Sequence, residues 1–187
     1  MQTSNKELID LVQIVLETYK VRDGNIRLYK ENILLKGFIK EIIEEMQPIA
    51  QKTNNTLEFI QQRDIRVYAD RIQLKRVIKN LIQNAISYGE PNFPIEVSIG
   101  EIPQYIVIKV KDYGAGISKT DIDKIFNKYY SAAKKFRKIG TGLGLYLALQ
   151  IIKSHNGELS VESEEGNFTE FTIKLPAVMN INLHYGE

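Results

Sequence analysis

"GTGLGLYLALQII", residues 140–152, sets three glycines within five positions directly before an apolar run. Glycine is the poorest helix former after proline, so crowding it at a helix start asks for a reason. A turn, a membrane segment and an untidy loop end are ordinary ones. A fourth is a backbone that must lie against phosphate oxygens, because glycine permits close approach and helix N-termini favour anions. The membrane reading fails, since the run stops at Lys153, far short of the roughly 20 apolar residues a spanning helix needs. The stretch also misses the better-known phosphate fingerprints: Leu145 stands where G-x-G-x-x-G wants its third glycine, and no G-K-[ST] follows.

Working outward, the helix begun by these glycines should run to about His155, where Asn156-Gly157 supplies a left-handed stop. Strands over 158–164 and 168–175, joined by a Gly-Asn turn, should follow before Pro176. Upstream lies the charged stretch 129–139, with Lys134, Lys135, Arg137 and Lys138. It is either a solvated face or a basic lid over polyphosphate. A short helix over 119–127 precedes it, then a loop with Gly114 and Gly116. "IEVSIG" (95–100) and "YIVIKV" (105–110) alternate like an antiparallel pair. Leu74, Val77, Ile78, Leu81, Ile82 and Ala85 mark a helix over 71–88, with Asp70 as its N-cap. "IRVYA" and "TLEFIQ" read as strands. Leu35 to Ile49 carry the stripe of a long helix kinked near Pro48, and "IRLY" (26–29) reads as a short strand. At the start, Leu8, Val12, Val15, Leu16 and Tyr19 predict a helix over 5–21, ended by "RDGN". Helices and antiparallel pairs mix without regular βαβ alternation. The fold class expected is α+β: a two-layer sandwich of one mixed, mostly antiparallel sheet with helices on one face.

Composition narrows the function. A chain of 187 residues, 43% hydrophobic, fits one domain plus a short extra element. Net charge is only +2, so neither nucleic-acid binding nor an acidic tail is indicated. The absence of cysteine excludes a disulfide scaffold and a Cys-based zinc site and agrees with a cytoplasmic location. The polar N-terminus shows no secretory signal.

Two further clusters can carry chemistry. Asn80 and Asn84 sit one helical turn apart and project from one face. They are either solvated amides or oxygen ligands for Mg²⁺, which takes few protein oxygens alongside water and phosphate. In "KVKDYGAGIS", Asp112 ends a strand and Gly114 and Gly116 follow. This is either a plain turn or a carboxylate placed to accept from an exocyclic amine, with glycines that let a ring approach the backbone.

Taken in order, "NLIQNA" (80–85), "DYGAG" (112–116), "KIFNKYY" (124–130) and "GTGLGL" (140–145) resemble the N, G1, F and G2 boxes of the histidine-kinase ATP-binding domain. Its superfamily includes gyrase, the ninety-kilodalton heat-shock chaperones and MutL. The resemblance spans 26–176, and "HNGELSVES" resembles the strand entry after the last box. It implies the Bergerat-type fold, with Asn84 and Asn80 at Mg²⁺ and the phosphates, Asp112 on the adenine amino group, and Gly114 and Gly116 shaping that pocket. It further implies Tyr88 on the adenine, and Gly140, Thr141, Gly142, Leu143 and Gly144 at the triphosphate, with Lys134 from the lid. Asn80, where hydrolytic relatives carry a general-base Glu, favours transfer to a protein acceptor over hydrolysis.

Three positions depart from the family. Ser87 and Ser131 stand where Lys or Arg and Arg are frequent, and Lys128 replaces a frequent proline. This leaves nucleotide affinity either weaker or supplied by the lid lysines. Residues 1–25 resemble the end of a dimerisation helix plus linker, and 177–187 a tail. Of the two histidines, His155 and His184, neither lies in an acceptor-like box, so the substrate histidine is expected on a dimerisation domain absent from this chain. The resemblance implies that domain and a response regulator as partners, ATP and Mg²⁺ as cofactors, and a cytoplasmic location, in a free protein or the inner part of a membrane-bound sensor. No nucleic-acid or membrane contact is expected of this segment. An anti-sigma-type serine kinase and a non-catalytic nucleotide-binding module are the alternatives.

Overall fold

The computed structural model describes residues 26–61, 63–130 and 142–177. Its elements in chain order are β1 (Lys30–Leu34), α1 (Leu35–Gln51), β2 (Thr56–Gln61), β3 (Arg66–Asp70), α2 (Arg71–Tyr88), β4 (Pro94–Ile102), β5 (Tyr105–Asp112), α3 (Gly144–Ser154), β6 (Glu158–Glu164) and β7 (Phe168–Pro176). Five strands form the main sheet in the order β2-β4-β5-β7-β6. The β2–β4 pair is parallel and the others are antiparallel.

Helical periodicity does what the apolar stripes require. α1 buries Leu35, Phe38, Ile39, Ile42, Met46 and Ala50, and α2 buries Leu74, Val77, Ile78, Leu81, Ile82, Ala85 and Ile86. Against them the sheet presents Leu57, Ile95, Val97, Ile108, Val110, Phe171 and Ile173. Asp70 caps α2 as the sequence predicts: Oδ1 accepts from the N–H groups of Ile72 and Gln73, both at 3.0 Å. Its other oxygen accepts from the Tyr29 N–H at 2.8 Å, tying the start of the described chain to the same junction. Glu41 and Glu45 of α1 pair with Arg71, Lys75 and Lys79 of α2, and Lys75 and Lys79 hold the two carboxyls below their usual range. At this exposure such pairs set helix register more than stability.

Three sequence expectations need correction. The strand placed at 26–29 lies at 30–34, because pairing with β3 sets it: Ile33 opposes Val67, and both are buried. That pair forms a separate two-stranded sheet, so the described residues form two sheets where one was expected. Residues 119–127 form consecutive turns instead of a helix; Ser118 O accepts from both Asp121 N–H and Ile122 N–H, so the bonding alternates between i+3 and i+4. α1 runs on through Pro48 to Gln51. The helix expected over 5–21, most of the charged stretch, and the tail from 178 lie outside the described residues.

Candidate functional site

α2 is the ruler of the site. Asn80 and Asn84 are half-buried on it, one turn apart, and Tyr88 closes its C-terminal end. Eight residues separate Asn80 from Tyr88, about 12 Å along a helix axis. At the first end, α3 begins against Asn80. A Cβ at Gly144 would lie 2.4 Å from Asn80 Oδ1, so glycine here lets the α3 backbone approach without displacing the Asn80 side chain. The helix start has no side-chain cap, and uncapped N–H groups at a helix start are an anion site. Gly142 has φ +65°, and a Cβ there would meet the backbone of Tyr129 and Tyr130 at 2.5 and 2.6 Å. Its carbonyl accepts from the Tyr129 N–H at 3.0 Å, so this glycine closes the base of the loop. Leu143 buries its side chain in protein. Lys134, Gly140 and Thr141 lie outside the described residues, as does Ser131.

At the other end stands Asp112, the last residue of β5 and 3% exposed. Burial alone pushes its carboxyl up to about 7. The loop after it is drawn onto α2 by glycine. Gly114 bridges Gly89, with hydrogen bonds from Glu90 N–H to Tyr113 O (2.7 Å) and from Ala115 N–H to Tyr88 O (3.1 Å). A Cβ at Gly114 would sit 2.1 Å from Tyr88 O. A Cβ at Gly116, φ +61°, would sit equally close to Glu164 O, and Gly166 N–H donates to Ala115 O at 2.8 Å. Both glycines therefore serve backbone-to-backbone contact, which fixes where Asp112 and Tyr88 stand. Tyr88 is half-buried there, and burial raises its phenol pKa.

Among the described residues, two buried side-chain polar atoms lack a partner: Asn80 Nδ2 and Asp112 Oδ1. An orphaned buried donor or acceptor is costly, and here one lies at each end of the site. The donor complements a phosphate oxygen; the acceptor complements an exocyclic amine. That chemistry fits a nucleotide, base at Asp112 and phosphates at Asn80. No group of three or more His, Cys, Asp or Glu that could hold a metal occurs among the described residues, so a Mg²⁺ here would rest on the amide oxygens of Asn80 and Asn84, phosphate and water.

His155 is committed elsewhere. Its Nε2 accepts from the Asp70 N–H at 2.9 Å and its Nδ1–H donates to Ile151 O at 2.8 Å, while burial lowers its pKa. The ring is a neutral strut between the end of α3 and the start of α2. Sequence reasoning missed Thr169, a buried hydroxyl directly across from Asp112 on β7. Its signal was there: in "FTEFTIKL" the polar Thr169 falls on the inward face shared by Phe171 and Ile173.

Residues 69–179, more than half of the chain, match the family described as histidine kinase-, DNA gyrase B- and HSP90-like ATPases. The chain belongs to that family. Among curated relatives of this ATPase domain, the sensor histidine kinase WalK of Bacillus subtilis (strain 168) is 32% identical over 181 residues. The alignment covers 94% of this chain and 29% of that protein. Among solved structures, the catalytic domain of histidine kinase ThkA, nucleotide-free, superposes with TM-score 0.71 at 28% identity over 80% of this chain and 97% of that one. ThkA in complex with the response regulator protein TrrA gives TM-score 0.75 at 26% identity, covering 92% of this chain and 49% of that one. The chain thus spans about 29% of the length of the curated relatives it matches first. These relatives are histidine kinases, which removes support from the serine-kinase alternative. ATP is the nucleotide of the family. No helix among the described residues is long and apolar enough to cross a membrane.

Proposed function

We propose that this chain is the catalytic ATP-binding part of a sensor histidine kinase, which holds Mg-ATP for transfer of the γ-phosphoryl group to a histidine on a dimerisation domain. Residues 26–176 are the ATP-binding domain, and 1–25 are the end of the dimerisation helix with its linker. The observation that carries the reading is the pair of orphaned buried atoms, Asn80 Nδ2 midway along α2 and Asp112 Oδ1 beside its C-terminal end. Asp112 accepts from the adenine amine and Tyr88 lies on the ring. Asn84 and the oxygen of Asn80 would hold Mg²⁺, and Asn80 Nδ2 would donate to a phosphate oxygen. The backbone of Gly140 to Gly144, helped by Lys134, receives the triphosphate at the start of α3. Bound Mg²⁺ would neutralise charge on the β- and γ-phosphates.

In the transfer, a nitrogen of the acceptor imidazole bonds to the γ-phosphorus as its bond to the bridging oxygen breaks, and ADP leaves. Asn80 is an amide and a poor base, so water is not activated in its place. Phosphoryl transfer then rests on positioning and charge. The dimerisation domain and a response regulator are the partners, the latter by analogy with the ThkA–TrrA complex. The location is the cytoplasm, where ATP and regulators are. Calorimetry tests the site. Asn84→Ala is expected to remove the Mg²⁺ dependence of ATP binding, and Asp112→Ala to weaken adenine nucleotides far more than free triphosphate. Wild-type affinity in both variants would refute the assignment.

A further inference from the structure

Asp112, Thr169 and Ser163 stand in one row across β5, β7 and β6: Asp112 opposes Thr169, and Thr169 opposes Ser163. Directly opposed residues of antiparallel strands project from the same face with Cβ atoms roughly 5 Å apart. Thr169 is buried, on the inward face it shares with Phe171 and Ile173. Ser163 Oγ accepts from the Ile117 N–H at 2.9 Å and donates to Phe168 O at 2.6 Å. A hydroxyl has one proton and a carbonyl can only accept, so the proton of Ser163 is taken. The 3.1 Å contact between Ser163 Oγ and Thr169 Oγ1 then has one direction: Thr169 donates and Ser163 accepts. The proton of Thr169 points away from Asp112, and lone pairs remain on the side of the base.

We infer that Ser163 is a positioning residue that locks the Thr169 hydroxyl, so that the wall beside Asp112 accepts hydrogen bonds only and selects adenine over guanine nucleotides. This rests on the reading that Asp112 takes the base. Adenine presents an amine at its sixth position and guanine a carbonyl oxygen. Against a carboxylate oxygen and a locked hydroxyl, the amine is paired and the carbonyl faces lone pairs. A site built for a donor rejects an analogue that lacks it, because its own polar atoms are left unpaired. Removing the Ser163 hydroxyl frees Thr169 to turn and donate to the guanine oxygen.

The test measures ADP and GDP affinity by calorimetry on the whole chain. Wild type is expected to prefer ADP strongly. Ser163→Ala should narrow the ADP-to-GDP ratio about tenfold, the worth of one hydrogen bond gained by the competitor. Ser163→Thr should keep the wild-type ratio. Adding Thr169→Val to Ser163→Ala should restore discrimination, because valine has no proton to give. A merely structural serine would weaken both nucleotides alike; an unchanged ratio in Ser163→Ala, or a narrowed one that persists in the double variant, overturns the inference. If Ser163→Ala does not fold, a narrowed ratio in Ser163→Thr overturns it and an unchanged one supports it. Asp112→Asn separates the two readings. If it leaves both affinities unchanged, the base does not sit at Asp112 and the underlying reading fails. If it weakens ADP while Ser163→Ala leaves the ratio alone, the lock itself is wrong.

Discussion

Asp112 meets two opposed demands from pH. Burial raises its pKa from 3.8 to about 7, so the folded chain holds a proton that the unfolded chain loses at lower pH. Stability then falls as pH rises from about 4 to about 7, by a total of order 4 kcal/mol, and stays low above that. Asp112→Asn should therefore raise the urea midpoint at pH 8 and not at pH 4; equal shifts at both would show that burial is not the cause. Binding runs the other way. An ionised carboxylate accepts from the adenine amine, so ATP affinity should rise with pH through 7, and that dependence should vanish in Asp112→Asn. Two glycines offer a second contrast at this scale. Gly144→Ala would press on the end of the Asn80 side chain, which can give way, whereas Gly114→Ala would meet the Tyr88 carbonyl, which cannot. The first should keep its fold and lose about tenfold or more in Mg-ATP affinity. The second should lose several kcal/mol of stability by urea unfolding. The reverse pattern would exchange the roles given to these glycines. Asn80, Asn84, Asp112 and the glycines were legible because each breaks a local rule: amides inside a helix, a carboxylate ending a strand, glycines opening a helix. Thr169 left a weaker mark, a polar residue in phase with Phe171 and Ile173, and Ser163 left none; the meaning of both depends on which strands are neighbours.

Among the elements, α2 and α3 hold the site and His155 joins them. His155→Ala leaves the Asp70 N–H without an acceptor and opens a cavity where the ring was, at a cost of about 3 kcal/mol. Urea unfolding should show that loss, while saturating ATP should still bind to the folded fraction. Unaltered stability would contradict the strut. The helices, their stripes and the Asp70 cap could be read from the sequence because they are local. β1 could not be placed from "IRLYKENILL", where apolar residues suit more than one register. Only the opposition of Ile33 to Val67 decides it, and that partner lies 34 positions away. The turns over 119–127 likewise have helical composition, but their hydrogen bonds alternate and no regular helix propagates.

At the scale of the molecule, a nucleotide site stands on a domain whose own histidine at 155 is buried and doubly hydrogen-bonded. The α+β class followed from mixed helices and hairpins, though the split into two sheets needed the pairing of β1 with β3. The central claim is transfer to a histidine carried elsewhere. It is tested by incubating the chain with γ-labelled ATP and Mg²⁺, alone and with a separate dimerisation domain bearing an acceptor helix, and counting label retained on protein. No label is expected on the chain alone, with little ATP hydrolysis, and slow acid-labile label on the added domain, slow because two separate proteins lack the covalent tether that raises effective concentration. Stoichiometric acid-labile label on this chain by itself, abolished by His155→Ala, would contradict that claim.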